Sequence, residues 1–223
     1  MRDEMEVEKY SLREKKHAKT KIAIMNAFIK RLERTRFGDI SIREICKNIE
    51  ISEGTFFNYF SEKIDIINYY SYLIFLKIFW KTQNEVPQGK YLISIETVFK
   101  NAAAELNNIN ITYQMISIIL MQREKPKAVT ISNIEKHLIF PDYVGIENTP
   151  VIFIDDFFGV CLKAALKNGE LPKKTNIDDV LVSLMTILAG TLLATKFKNI
   201  KDREYHYMRQ LNLLWKGLGI KRR

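Results

Sequence analysis

The chain has 223 residues, with 35 Lys+Arg against 26 Asp+Glu, a formal net charge of +9. Its 9 Gly and 5 Pro are too few turn formers for a β-sandwich or a Gly-looped nucleotide fold, so an all-helical protein is expected. A hydrophobic content of 47% excludes general disorder.

The charge is segregated along the chain. Residues 1–8 are acidic, residues 9–47 carry 12 basic and 4 acidic side chains, and residues 196–223 carry 9 against 2, ending Lys221-Arg222-Arg223. Residues 66–195 balance at 12 of each. A basic N-terminal module on a neutral body suits a polyanionic partner. The first residues lack the apolar run of a secretory signal. Cys46 and Cys161 form no pattern, which suits buried thiols in a reducing cytoplasm.

In chain order, punctuation and periodicity predict helices over 13–34, 41–48, 52–58, 62–84, 90–106, 110–124, 129–139, 151–168, 177–198 and 202–218. The breaks include Lys125-Pro126, Gly169–Thr175 and Asn199–Lys201. Short helices crowd the first 60 residues and long ones follow. That change of scale divides the chain into 10–67 and 68–223, joined by helix 62–84.

The first helix has two faces: Ile24, Met25, Phe28 and Leu32 on one, and Lys15, Lys16, Lys19, Lys30 and Arg34 on the other. The stretch ISIREICKNIEISEGTFFNYFSEK, residues 40–63, is the most informative. Ser41 with Glu44 three residues on reads as a capping box. Asn48–Ile51 breaks the pattern, Ser52 caps a very short second helix, and Ser61 caps a third. Two helices of about two turns joined by a 3–4-residue turn make a helix-turn-helix.

A helix entering a major groove about 12 Å wide must be slim on its exposed side, and Gly54 and Thr55 are slim. Phe56 and Phe60, at i and i+4, anchor it. Thr55 and Asn58 are the candidates for base edges. Ser41, Arg43, Ser52, Tyr59 and Lys63 are the candidates for phosphates. The reading helix holds no Arg or Lys, so affinity is expected to come from phosphate contacts and to fall steeply with salt.

This segment resembles the TetR family of regulators. The likeness runs from Ile24 to Ile67, through Ser41-x-x-Glu44-Ile45 and Ser52-x-Gly54-Thr55-Phe56-Phe57-x-Tyr59-Phe60-x-x-Lys63. It implies a three-helix DNA-binding domain followed by a larger helical domain that binds an effector and dimerises. The chain departs from the family at Arg36 and Glu50, where glycine is common, and at Phe57, where tyrosine often offers a hydroxyl to phosphate. Phe57 can still pack on sugar or a thymine methyl.

Farther along, Phe75, Phe79, Trp80, Phe99, Tyr113, Met115 and Phe153 are candidates to line a pocket for an apolar or aromatic effector. Ile154, Phe157, Phe158, Cys161, Leu162 and Ala165 form an apolar stripe. The following helix runs almost wholly apolar from Val180 to Ala194, including Leu184 and Leu188. A helix apolar all round must be buried on all sides, so a two-fold homodimer through 151–198 is expected, with Phe157, Phe158, Cys161, Leu162, Leu184 and Leu188 at its interface. The uncharged run Val180–Thr195 is 16 residues, short of the ~20 of a membrane span.

No metal-ligand spacing, nucleophile elbow or phosphate-binding glycine loop is present, so no catalytic residue, cofactor or metal is expected. The expected function is a cytoplasmic DNA-binding regulator, a repressor released by a small molecule, with double-stranded operator DNA as partner. The alternative is a helical protein-interaction module without DNA binding.

Overall fold

The computed structural model describes residues 9–124, 127–198 and 201–220. The acidic start, the Lys125-Pro126 break, most of the 199–201 break and the basic tail lie outside the described residues. Among the described residues there are ten α-helices and no strand: α1 (Leu12–Leu32), α2 (Ile42–Asn48), α3 (Glu53–Phe57), α4 (Lys63–Glu85), α5 (Tyr91–Glu105), α6 (Ile109–Met121), α7 (Asn133–Ile139), α8 (Ile154–Lys167), α9 (Ile177–Lys198) and α10 (Arg203–Gly217). Short 3-10 turns lie at Phe37–Asp39 and Ile146–Asn148.

Local chemistry sets these boundaries. α1 opens with a full capping box between Ser11 and Glu14, and α7 opens with another between Ser132 and Glu135. The second box starts α7 at Asn133, four residues later than the apolar pattern suggests. At α2 only half of the expected box forms. The Ser41 hydroxyl accepts the Glu44 N–H at 3.3 Å, while the Glu44 carboxylate turns away to Arg31 at 3.0 Å. α4 begins at Lys63, and the group satisfying its first turn is Asp65, which accepts the Glu62 N–H at 2.9 Å.

The helices group into two compact units. One comprises Met1–Leu76 with Asn108–Val151, the other Lys77–Asn107 with Ile152–Arg223. In the first, α1 packs on α7, α2 and α6. Ile24, Phe28, Leu32, Ile45, Phe56 and Ile66 are each fully buried there. Every such side chain contributes about 1.5–3 kcal/mol relative to exposure. Lys136 is buried in this unit and donates to the carbonyls of Glu147 at 3.0 Å and Thr149 at 2.9 Å. Burial lowers its pKa, against the charge of Glu147.

In the second unit α5 packs on α8 and α10, and α9 on the same two helices. Phe79 stacks on Phe157 with centroids 4.3 Å apart, and Phe99 on Phe158 at 5.4 Å. The Tyr207 hydroxyl donates to the Leu188 carbonyl at 3.1 Å, and the Trp215 indole to Glu96 at 2.7 Å. Beyond α8, both carboxylate oxygens of Glu170 accept the first amides of α5, from Tyr91 at 3.1 Å and Leu92 at 3.0 Å. At the other end of α5, Glu105 pairs with Lys77 at 2.7 Å and Lys81 at 2.6 Å.

The six residues assigned from sequence to a dimer interface point inward. Phe157, Phe158, Cys161, Leu162, Leu184 and Leu188 are all buried within the single chain. The reason is that the stripes of α8 and α9 are taken up by α5, by α10 and by each other. α9 is the one described helix long and apolar enough, by length and composition, to cross a membrane. One stripe of it is core: Val180, Leu184, Leu188, Thr191, Leu192 and Thr195. A second stripe is exposed and apolar, carrying Val182, Leu193 and Phe197, with Thr186 and Gly190 between them.

Candidate nucleic-acid interface

The short segment after α2 folds as its residue types require. Ile49 ends α2, and Glu50 takes a left-handed conformation, φ 57°, at a position where glycine would be unstrained. Ser52 then caps α3: its hydroxyl accepts the Thr55 N–H at 3.0 Å and shares a hydrogen bond with the Thr55 hydroxyl at 2.9 Å. Phe56 and Phe60 are buried, so the helix is anchored from one side.

The opposite side is open. Ser52, Glu53, Gly54 and Asn58 are exposed, Thr55 and Tyr59 are half-buried, and Phe57 keeps 48% of its surface. A methyl added at Gly54 would meet only the Ser52 hydroxyl oxygen, at 3.8 Å, an ordinary contact. Nothing inside the chain therefore requires glycine there. Ser41 and Arg43 of the preceding helix are also exposed. The expected reading residues other than Lys63 are thus exposed or half-buried, with two changes of role. The Thr55 hydroxyl is engaged by Ser52, which leaves Asn58 as the unengaged amide on the helix.

Lys63 is the larger change. Its ammonium donates to the carbonyls of Phe37 at 3.4 Å, Gly38 at 3.1 Å and Ile40 at 3.0 Å, and lies 5.5 Å from the centre of the Phe37 ring. An ammonium has three donors, and all three are in use. Lys63 acts as a clamp on the turn before α2 instead of a phosphate contact.

The same turn explains how the chain dispenses with glycine at Arg36, whose backbone is extended at φ −65° and ψ 145°. Gln114 of α6 donates to the carbonyls of Leu32 at 2.7 Å and Thr35 at 3.2 Å, and accepts the Phe37 N–H at 3.0 Å. Orphan carbonyls at the end of α1 are satisfied by a side chain 79 to 82 positions away instead of by a left-handed cap. Sequence reading did not single out Gln114, because no local pattern marks it. It also passed over Glu53, exposed in the first turn of α3, where a carboxylate can accept from a cytosine amino group. Beneath α3, burial and the nearby Glu53 charge raise the pKa of the Cys46 thiol.

The aromatic candidates for an effector pocket divide between the units. Phe75, Tyr113 and Met115 belong to the first, and Phe79, Trp80, Phe99 and Phe153 to the second. Phe79 and Phe99 are fully buried, each with one face against another ring. Met115 and Phe153 are buried, while Phe75, Trp80 and Tyr113 keep partial exposure.

Among solved structures, the chain matches a crystal structure from Shewanella sp. PV-4 assigned to the TetR family of transcription regulators. The TM-score is 0.57 over 89% of this chain and 97% of that one, at 13% identity. The fold is that of a TetR regulator. No protein-family model and no curated protein matches the chain. In this chain α1 packs on α2, and α2 on α3, and the side of α3 away from Phe56 is exposed.

Proposed function

We propose that the chain is a DNA-binding transcription regulator, a repressor released by a small apolar or aromatic effector. Residues 10–67 would serve as the reading head and 68–223 as the effector-binding and dimerisation part. The observation that carries this reading is the outward surface of α3, where Gly54 and Asn58 stand free of the chain's own packing while Phe56 and Phe60 hold the helix from behind. A slim, anchored helix of this kind fits a major groove.

The exposed stripe Val182, Thr186, Gly190, Leu193 and Phe197 of α9, together with Val160 of α8 at 64% exposure, supports a homodimer. These residues replace the six inward-facing ones as the proposed contact surface. Pairing would bury apolar area and give the molecule two reading heads, as recognition of two half-sites requires. Leu193→Asp is expected to give a monomer in sedimentation that keeps its helical content.

A gel shift with the protein's own upstream DNA tests the function. Binding is expected, and it should be lost in an Arg43→Ala, Asn58→Ala variant whose thermal melting is unchanged. A wild-type protein that shifts no duplex at low salt would overturn the reading and leave the interaction-module alternative.

A further inference from the structure

The reading helix itself carries no cation. Its five residues hold a glutamate in the first turn and no basic side chain, and the next lysine, Lys63, has its three donors directed at backbone carbonyls. Duplex DNA presents one phosphate charge per roughly 1.7 Å of axis, so a head that binds it needs cations from elsewhere.

Besides Arg43 of α2, such a cation stands on α1. The His17 ring lies against the Tyr59 ring, directly after α3, with centroids 4.6 Å apart and planes tilted by 43°. Arg13 precedes His17 by four residues, hence on the same face, and both are exposed. They line one open cleft of about 450 Å³ together with Lys21, Glu14 and Glu135. The last three are engaged. Lys21 pairs with Glu135 at 2.8 Å and donates to the Thr130 carbonyl at 3.3 Å. Glu14 accepts from the Ser11 N–H at 2.8 Å and hydroxyl at 2.7 Å. Glu135 also accepts from the Ser132 N–H at 2.7 Å and hydroxyl at 2.9 Å. Among the described residues no acid pairs with Arg13.

We propose that the DNA contact extends beyond the helix-turn-helix onto the first two turns of α1. There Arg13, His17 and Tyr59 together hold a phosphodiester on the flank of the groove that α3 enters. The guanidinium supplies charge and paired donors, the imidazole N–H and the phenol O–H supply further donors, and the ring contact fixes their spacing. This inference rests on the DNA-binding reading and adds a second cation to the Arg43 of that reading.

The test measures binding of the full chain to a mixed-sequence duplex of about 30 base pairs, three helical turns, across a salt series. Non-specific binding is dominated by phosphate contacts, so the operator need not be known. Arg13→Ala is expected to weaken binding roughly fivefold at about 0.1 M salt and to reduce the slope of log affinity against log salt by about 0.9. Lys163→Ala, which removes an exposed cation of α8, leaves both unchanged. His17→Ala and Tyr59→Phe are expected to be non-additive, as groups sharing one contact are. Wild-type binding with an unaltered slope in Arg13→Ala would overturn this inference and leave the regulator reading standing. No wild-type binding at any salt would remove both. A saturable complex with inorganic phosphate that duplex does not displace would place a small anion in the cleft, and would also overturn it.

Discussion

Gln114 closes the C-terminal end of α1, its amide nitrogen donating to the Leu32 carbonyl at 2.7 Å. The same side chain serves the Thr35 carbonyl and the Phe37 N–H. Gln114→Leu leaves these partly buried groups without their partner. Unpaired buried polar groups cost about 1–3 kcal/mol each, and water reaches some of these, so a loss of roughly 2 kcal/mol is expected in urea unfolding. Gln114→Glu keeps the acceptor for Phe37 but loses both donors, and is expected to be no better than Leu. Wild-type stability in both variants would show that the clamp contributes nothing.

Glu50 stands at φ 57°, where a Cβ is strained. Glu50→Gly relieves that strain, about 1–2 kcal/mol for an L-residue, against an unfolded-state entropy cost of roughly 0.5–1 kcal/mol. The expected result is a gain of about 0.5–1 kcal/mol in unfolding free energy, read from denaturant midpoints at constant slope. A loss would mean that the Glu50 side chain makes a compensating contribution.

Gly54 separates folding from reading. Since a methyl there meets only the Ser52 oxygen at 3.8 Å, Gly54→Ala is expected to leave stability unchanged or raise it by up to about 1 kcal/mol. Gly54→Leu should fold as well, because its side chain points away from the core, yet lose DNA binding by at least about tenfold through obstruction of the groove. A leucine variant that binds like wild type would remove α3 from the interface.

Glu105 gives the second unit a pH dependence. Burial raises its pKa, but the hydrogen bonds and charges of Lys77 and Lys81 outweigh that and leave it below the usual glutamate value. A lowered folded-state pKa stabilises above the unfolded value, about pH 4.3, and the stabilisation fades as the pH falls through the folded one. Thermal melting between neutral and acid pH should therefore decline less steeply in Glu105→Gln, which starts from a lower neutral value. Parallel curves for the two proteins would contradict this.

The head was legible in sequence where its signals were local. Ser52 and the i, i+4 pair Phe56 and Phe60 are read from spacing, and they cap and anchor α3 as expected. Lys63 was not, because its direction depends on a turn 23 to 26 residues earlier whose carbonyls need donors. Glu44 likewise had two possible partners, Ser41 and Arg31, and only the packing of α2 on α1 decides for the arginine. For α8, periodicity showed that one face is buried but not what covers it. The chain's own α5 does so, while the exposed side of α9 includes Thr186 and Gly190, which a hydrophobicity pattern ranks low.

Glu170 follows α8 and grips the opening amides of α5 with both oxygens. The end of α8 and the start of α5 are thereby joined, so neither can slide lengthwise without tearing two charge-assisted bonds or taking its neighbour along. At the far end of the same helix Glu105 is held by two lysines, so α5 is tied at both ends by charged groups.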